Sequence, residues 1–119
     1  MNAQMKELCE EYLKADHSNR DSEQNYEWDW VNDETANNLF IFLFERNLFK
    51  GDYHPLIKEI RAKRIESLTL QETEIYLTGA AAADRVWGAY SNLYADRTLD
   101  KLVEHWLRAA KREYRKQAE

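Results

Sequence analysis

The chain is poor in the residues that build disulfide frameworks and tight turns, since its 119 residues include one cysteine, one proline and three glycines. A single cysteine, Cys9, excludes an intramolecular disulfide and is typical of the reducing cytoplasm. So few glycines and prolines argue against a sandwich or barrel, whereas the abundant Glu, Lys, Leu, Ala and Arg favour helices. The composition predicts a single all-α domain spanning residues 1–119, located in the cytoplasm.

Long apolar segments are also missing. The longest apolar run, LFIFLF at residues 39–44, has six residues, whereas a membrane-spanning helix needs about 20. The N-terminal MNAQMKELCEEYLK has no basic region followed by an apolar one, so no signal peptide is expected. The sequence therefore predicts neither secretion nor membrane insertion.

The charges that are present are unevenly distributed. Residues 1–36 carry ten acidic and three basic side chains, a net charge of −7, and residues 37–119 carry twelve acidic and fourteen basic ones, a net charge of +2. An acidic N-terminal third is therefore followed by a mildly basic remainder.

Apolar residues at helical spacing predict a compact bundle of four to five helices. The expected helices cover about residues 3–15, 32–51, 55–68 and 70–94, followed by a last helix capped by Asp96. The second helix is apolar almost all round, which predicts a central buried helix, and a strand at residues 39–44 is the alternative. Thr69 and Glu72 form a capping-box pattern before the fourth helix, which Gly79 or Gly88 could interrupt.

Patterns that carry enzyme chemistry are missing. His17, His54 and His105 are far apart, and none lies three or four residues from another histidine or from Cys9, so no metal site is expected. The sequence contains no Gly-rich phosphate loop and no nucleophile motif, and Cys9 lies on the apolar side of the first helix. We therefore expect no enzymatic activity and no cofactor. The remaining enzymatic alternative is a pair of carboxylates from among Glu10, Glu11, Asp29 and Asp33.

Residues 68–77, LTLQETEIYL, resemble the opening of LuxR-type helix-turn-helix domains. The resemblance covers ten residues and ends at Gly79, because the following AAAADRVWGAY lacks the polar turn and the recognition-helix pattern of such domains. It therefore assigns no family.

The stretch NYEWDW at residues 25–30 alternates aromatic and acidic side chains. In an extended backbone its three aromatics would share one side. One interpretation is that they cover an end of the bundle as part of the core. The other is that they anchor a protein partner within an acidic rim, because Trp and Tyr dominate interface hot spots. The candidate partner-binding residues are Tyr26, Glu27, Trp28, Asp29, Trp30 and Asp33.

A second candidate surface lies on the last helix, where basic residues recur on one side. This spacing could follow a nucleic-acid backbone, although a sequence pI of about 5.3 is far below the value above 9 typical of dedicated nucleic-acid-binding domains. The candidate nucleic-acid-binding residues are Lys101, His105, Arg108, Arg112 and Arg115.

The function hypothesis from sequence is a non-enzymatic protein-interaction module, an adaptor or inhibitor. It would bind a protein partner, including a nucleic-acid-binding one, through the acidic aromatic N-terminal surface. The alternative is a nucleic-acid-associated subunit that uses the basic side of the last helix. The apolar second helix also suggests a homo-oligomer as a further alternative.

Overall fold

A computed structural model describes residues 3–17, 29–46 and 57–118 of the chain. The described residues form six α-helices and two short 3-10 helices, at Asp29–Asn32 and Ile65–Ser67, with no strand among them. The all-α prediction is confirmed. The α-helices are α1 (Ala3–Lys14), α2 (Glu34–Glu45), α3 (Ile57–Ala62), α4 (Leu70–Trp87), α5 (Ala89–Ala95) and α6 (Thr98–Ala118).

Four of these helices enclose the core. α2 packs against α1 and α4, and α6 packs against the same two helices. α5 lies against α4 and α6, and α3 lies against α4. Because each helix turns an apolar stripe towards the others, large side chains are removed from water and stabilise the bundle by about 1.5–3 kcal/mol each. The largest fully buried side chains include those of Trp106, Tyr12, Tyr90, Leu39, Leu43, Leu77 and Leu102.

Local sequence signals determine where α4 begins and ends. The Thr69 hydroxyl accepts a hydrogen bond from the Glu72 N–H at 3.1 Å, and the Glu72 carboxylate accepts one from the Thr69 N–H at 3.0 Å, which confirms the capping box. The helix ends at Gly88, whose φ of 59° lies in the left-handed region that glycine adopts without strain. It continues through Gly79, so the turn that a helix-turn-helix motif would need there is missing.

The break at Gly88 divides the expected fourth helix into α4 and α5. Partly for this reason, the described residues form six α-helices instead of the expected four or five. α5 ends before Asp96, and the Asp96 carboxylate accepts a hydrogen bond from the Thr98 N–H at 2.9 Å. Asp96 is thus the C-cap of α5, and its side chain satisfies the first N–H of the last helix from two residues before it. The chain turns at Arg97, whose φ is 69°.

Two helices differ from their predicted form. α2 begins at Glu34, is capped by Asp33, and exposes Ile41 and Phe44, so it is not buried all round. The strand alternative for residues 39–44 is wrong, because these residues are helical. The expected third helix ends at Ala62, and a 3-10 helix that packs against α6 follows it. Gly51, where the second helix was expected to end, and Pro55, where the third was expected to begin, both lie outside the described residues.

A helix that crosses a membrane needs a stretch of about 20 mostly apolar residues. In the described ranges, no helix combines the length and the apolar character required to cross a membrane.

Candidate functional site

Trp30, a candidate partner anchor, lies in the core. Its side chain is 6% exposed, and its indole N–H donates to the Ser91 hydroxyl at 2.7 Å. Its ring packs on Phe40 and Tyr90 at centroid distances of 4.4 and 5.1 Å. A buried indole with its N–H satisfied has no surface left for a partner. The structure therefore supports the core interpretation for Trp30. Its assignment as a partner-binding residue is corrected, because the ring is buried.

Asp33, the second described member of that set, has a structural role. One carboxylate oxygen accepts from the Ala36 N–H at 3.2 Å and from the Thr35 hydroxyl at 2.8 Å, which caps α2. The other accepts from the Tyr94 hydroxyl at 2.9 Å and is also bonded to Nδ1 of His17. Asp33 thus joins the end of the α1 segment, the start of α2 and α5.

The surroundings of Asp33 change its acidity. Burial alone would raise the pKa of this carboxyl group, but hydrogen bonds from His17, Thr35, Tyr94 and the Ala36 N–H outweigh burial. The pKa of Asp33 therefore lies below its ordinary value of 3.8, and the carboxylate is ionised at neutral pH.

His17 and Asp33 form a pair of the kind found in some catalytic sites, but both ring nitrogens of His17 already contact oxygen atoms of the protein. Nε2 of His17 lies 2.6 Å from the Tyr12 carbonyl oxygen, and Nδ1 faces Asp33. Because both ring nitrogens are engaged with acceptors, neither is free to take a proton from a substrate. The Tyr12 hydroxyl in turn donates to Asp100 at 2.6 Å, which extends the polar contacts to α6.

The remaining members of the acidic aromatic set are not tested. Tyr26, Glu27 and Trp28 lie outside the described residues, and Asp29 begins a 3-10 helix without a described side chain. Their role as partner-binding residues stays a prediction.

Three apolar residues just before and along α2 are exposed, namely Val31, Ile41 and Phe44. Their side chains are 50%, 49% and 41% exposed. Asn37, one turn before Ile41, reaches the Val31 carbonyl oxygen at 3.5 Å, and the Phe44 ring stacks on Phe40 at 5.9 Å. We call Val31, Ile41 and Phe44 the α2 patch. The signal for it was the excess of apolar residues in LFIFLF beyond one buried stripe.

Two carboxylates and one guanidinium group lie at the ends of α2. Glu34 and Glu45, at the two ends of α2, are exposed, and the helix contains no basic residue. The guanidinium group of Arg46, which follows the helix, lies 4.6 Å from the Phe42 ring centroid. An apolar centre with carboxylates at its edges is the arrangement that attracts and then holds a basic protein surface.

The basic side of α6 is only partly as expected. Lys101, Arg108 and Arg112 are exposed, and the side chain of Arg115 is not among those described. His105 is 5% exposed, and its Nε2 lies 2.8 Å from the Leu68 carbonyl oxygen. It cannot contact a phosphate, because the segment before α4 covers it. Arg108 also forms an ion pair with Glu104 one turn away, which reduces the positive charge of this side.

Cys9 is not a reactive thiol. Burial, followed by the nearby Glu10 and Glu74, raises the pKa of the Cys9 thiol to about 12, so it is protonated at neutral pH and poorly nucleophilic. Glu10 pairs with Lys6 at 3.3 Å on the surface of α1. In the described part of the chain, no three His, Cys, Asp or Glu side chains are grouped to hold a metal ion.

Comparison with protein-family models, with curated proteins and with solved structures gave no match to this chain.

Proposed function

We propose that this chain is a non-enzymatic protein-interaction module, an adaptor or inhibitor, that binds a basic protein partner through an acidic aromatic N-terminal surface that continues from residues 26–33 onto α2. The observation that carries the proposal is the α2 patch, because three apolar residues are left exposed in and beside one helix. Glu27, Trp28 and Asp29, the predicted partner-binding residues, precede Trp30 and Val31 in the sequence, and we include them in the proposed surface.

The composition of the surface supports a protein rather than a nucleic acid as the partner. A phosphate backbone would be repelled by Glu34 and Glu45, whereas Lys or Arg side chains around an apolar partner surface would pair with them. Nucleic-acid-binding proteins present such basic surfaces, so they form one class of partner. The cytoplasm is the proposed compartment, supported by the single cysteine and its place in the core.

The direct test is affinity capture with matched surface variants. The double variant Ile41→Ser and Phe44→Ser removes the centre of the patch, and Leu13→Ser removes an apolar side chain that is 39% exposed on α1 instead. Truncating hot-spot residues costs about 2 kcal/mol or more, so the double variant should bind a captured partner at least about 30-fold more weakly. The Leu13 variant should retain the affinity within about twofold, a change of less than about 0.5 kcal/mol.

Charge reversal distinguishes the two candidate surfaces. Glu27→Lys with Asp29→Lys should abolish capture, whereas Arg108→Glu with Arg112→Glu should leave it intact, with and without nuclease. If nuclease removes the captured material and only the α6 pair matters, the nucleic-acid alternative replaces this proposal. Capture of a second copy of the chain would instead identify the α2 patch as a homo-oligomer interface, which light scattering would show directly.

Trp28 provides an independent probe of the same surface. Trp28→Ala should lose the partner and keep the helical content and melting temperature of the wild type. A melting temperature lowered by many degrees would show that Trp28, like Trp30, belongs to the core.

A further inference from the structure

A cavity separate from the α2 patch lies between α3, α4, α5 and the start of α6. Its volume is about 190 Å³. Ala80, Ala83 and Leu93 line it with apolar side chains that are 4%, 7% and 8% exposed, and Ile57 forms one wall. A cavity of about 150 Å³ lined by apolar residues accommodates benzene. The available space therefore suits an apolar group the size of a single ring.

Small residues create this space. Gly79 lets α3 lie close to α4, because a Cβ atom added there would come within 2.6 Å of Ile57 Cδ1. Beyond this contact, Ala80, Ala83 and Ala89 project only methyl groups into the cavity. α3, α4, α5 and the start of α6 thus surround a volume, open to solvent at the exposed Arg61, Asn92 and Asp96, that their own side chains do not fill.

Polar groups surround the apolar part of the cavity. Tyr76, Asn92 and Thr98 provide two hydroxyl groups and one amide, all able to donate and to accept hydrogen bonds. Arg61 and Asp96 add one charge of each sign, so the lining carries no net formal charge. The carboxylate of Asp96 already accepts from the Thr98 N–H, which keeps it at the start of α6.

We propose that this cavity binds a small uncharged molecule with an apolar body of one ring and a polar end that both donates and accepts hydrogen bonds. An ion that entered the alanine-lined part of the cavity would lose its hydration shell. The lining has no net charge that could compensate for this loss. A neutral ring avoids this cost, and its polar end is bound by Asn92 at the rim. The site involves α3, α4, α5 and α6, so its occupation does not depend on the proposed protein interaction.

The test uses benzamide as the probe and nuclear magnetic resonance of the full ¹⁵N-labelled chain. We expect saturable shifts centred on the amides of Ala80, Ala83 and Leu93. Ala83→Leu fills the cavity and should weaken binding at least tenfold, whereas Ala3→Leu, the same substitution at an exposed position on α1, should not change it. Shifts that do not saturate, or equal binding by the Ala83 variant, would overturn the proposal.

A rim variant keeps the test decisive if Ala83→Leu does not fold. Asn92→Ala changes an exposed residue of α5 and should weaken benzamide binding at least threefold, with Asn38→Ala on α2 as the matched exposed control. Equal affinities in these two variants would place the probe outside the cavity and contradict the assignment. Circular dichroism of each variant establishes that the helical content is retained.

Discussion

α2 and α6 both turn an apolar side towards the core, but their outer sides differ. α6 buries Leu102, Val103 and Trp106 and exposes Lys101 and Arg108, as a surface helix requires. α2 buries Leu39 and Leu43 and exposes Ile41 and Phe44 beside its carboxylates. The bundle is already stabilised by the inner side of each helix. Exposed apolar residues on α2 therefore contribute little to folding, which makes that side the better candidate for binding.

Substitution of Trp30 should have the largest effect on stability, because this residue, just before α2, is buried in the core. Trp30→Ala removes ring contacts with Phe40 and Tyr90 and the hydrogen bond to Ser91. We expect a loss of about 3–5 kcal/mol in the free energy of unfolding, measured by urea denaturation. The exposed neighbour Val31 is the control, since Val31→Ala should cost less than about 1 kcal/mol. Equal losses at the two positions would remove the distinction between core and patch.

Asp33 should have the next largest effect, because one carboxylate connects three segments. Asp33→Ala removes the cap of α2 and leaves the Tyr94 hydroxyl without this acceptor. The expected loss is about 2–3 kcal/mol in the free energy of unfolding, combining a lost cap with the loss of a partly buried hydrogen bond to a charged group. Asp33→Asn keeps an oxygen for the cap and should lose less. A fully stable alanine variant would show that these contacts do not hold α1, α2 and α5 together.

Acid should weaken the same contacts in a predictable direction. Because the pKa of Asp33 is lower in the folded chain than its ordinary value of 3.8, unfolding takes up a proton when the pH falls below about that value. The stability provided by the ionised carboxylate is complete at neutral pH and is lost as the pH falls through the folded pKa. Urea midpoints between pH 7 and pH 2.5 should fall more steeply for the wild type than for Asp33→Asn. Parallel slopes would contradict the assignment.

Local interactions explain which features could be predicted from sequence. The capping box at Thr69 and the buried side of α1 depend on residues within one or two helical turns, so composition and spacing reveal them. Spacing left a break at either Gly79 or Gly88 open, and only Gly88 ends the helix. The role of Asp33 is different, because Tyr94, one of its partners, is 61 positions away in the chain. No periodicity encodes that contact.

The same limit applies to the candidate surfaces. On a helical wheel His105 falls beside Lys101 and Arg108, yet the segment around Leu68 packs over it and removes it from the exposed side. Trp30 likewise sits in an alternating aromatic pattern, but its burial depends on Ser91 and Tyr90 from a distant helix. The spacing of residues in the sequence predicts which of them share one side of a helix. Contacts with distant segments determine which of those residues remain exposed.

The smallest expected stability effect is at Ile41, and it gives the sharpest comparison within one helix. Ile41 is 49% exposed, whereas Leu43, two residues later, is fully buried. Ile41→Ser should lower the free energy of unfolding by no more than about 1 kcal/mol, because about half of the residue is already in water and the two residues have similar helix propensities. Leu43→Ser should cost more than about 3 kcal/mol, since it leaves a cavity and buries a hydroxyl. Paired urea titrations measure both. If Ile41→Ser destabilises the chain as strongly as Leu43→Ser, Ile41 belongs to the core and the α2 patch loses its centre. If it leaves stability unchanged and weakens partner binding, the exposed apolar side of α2 serves recognition rather than folding.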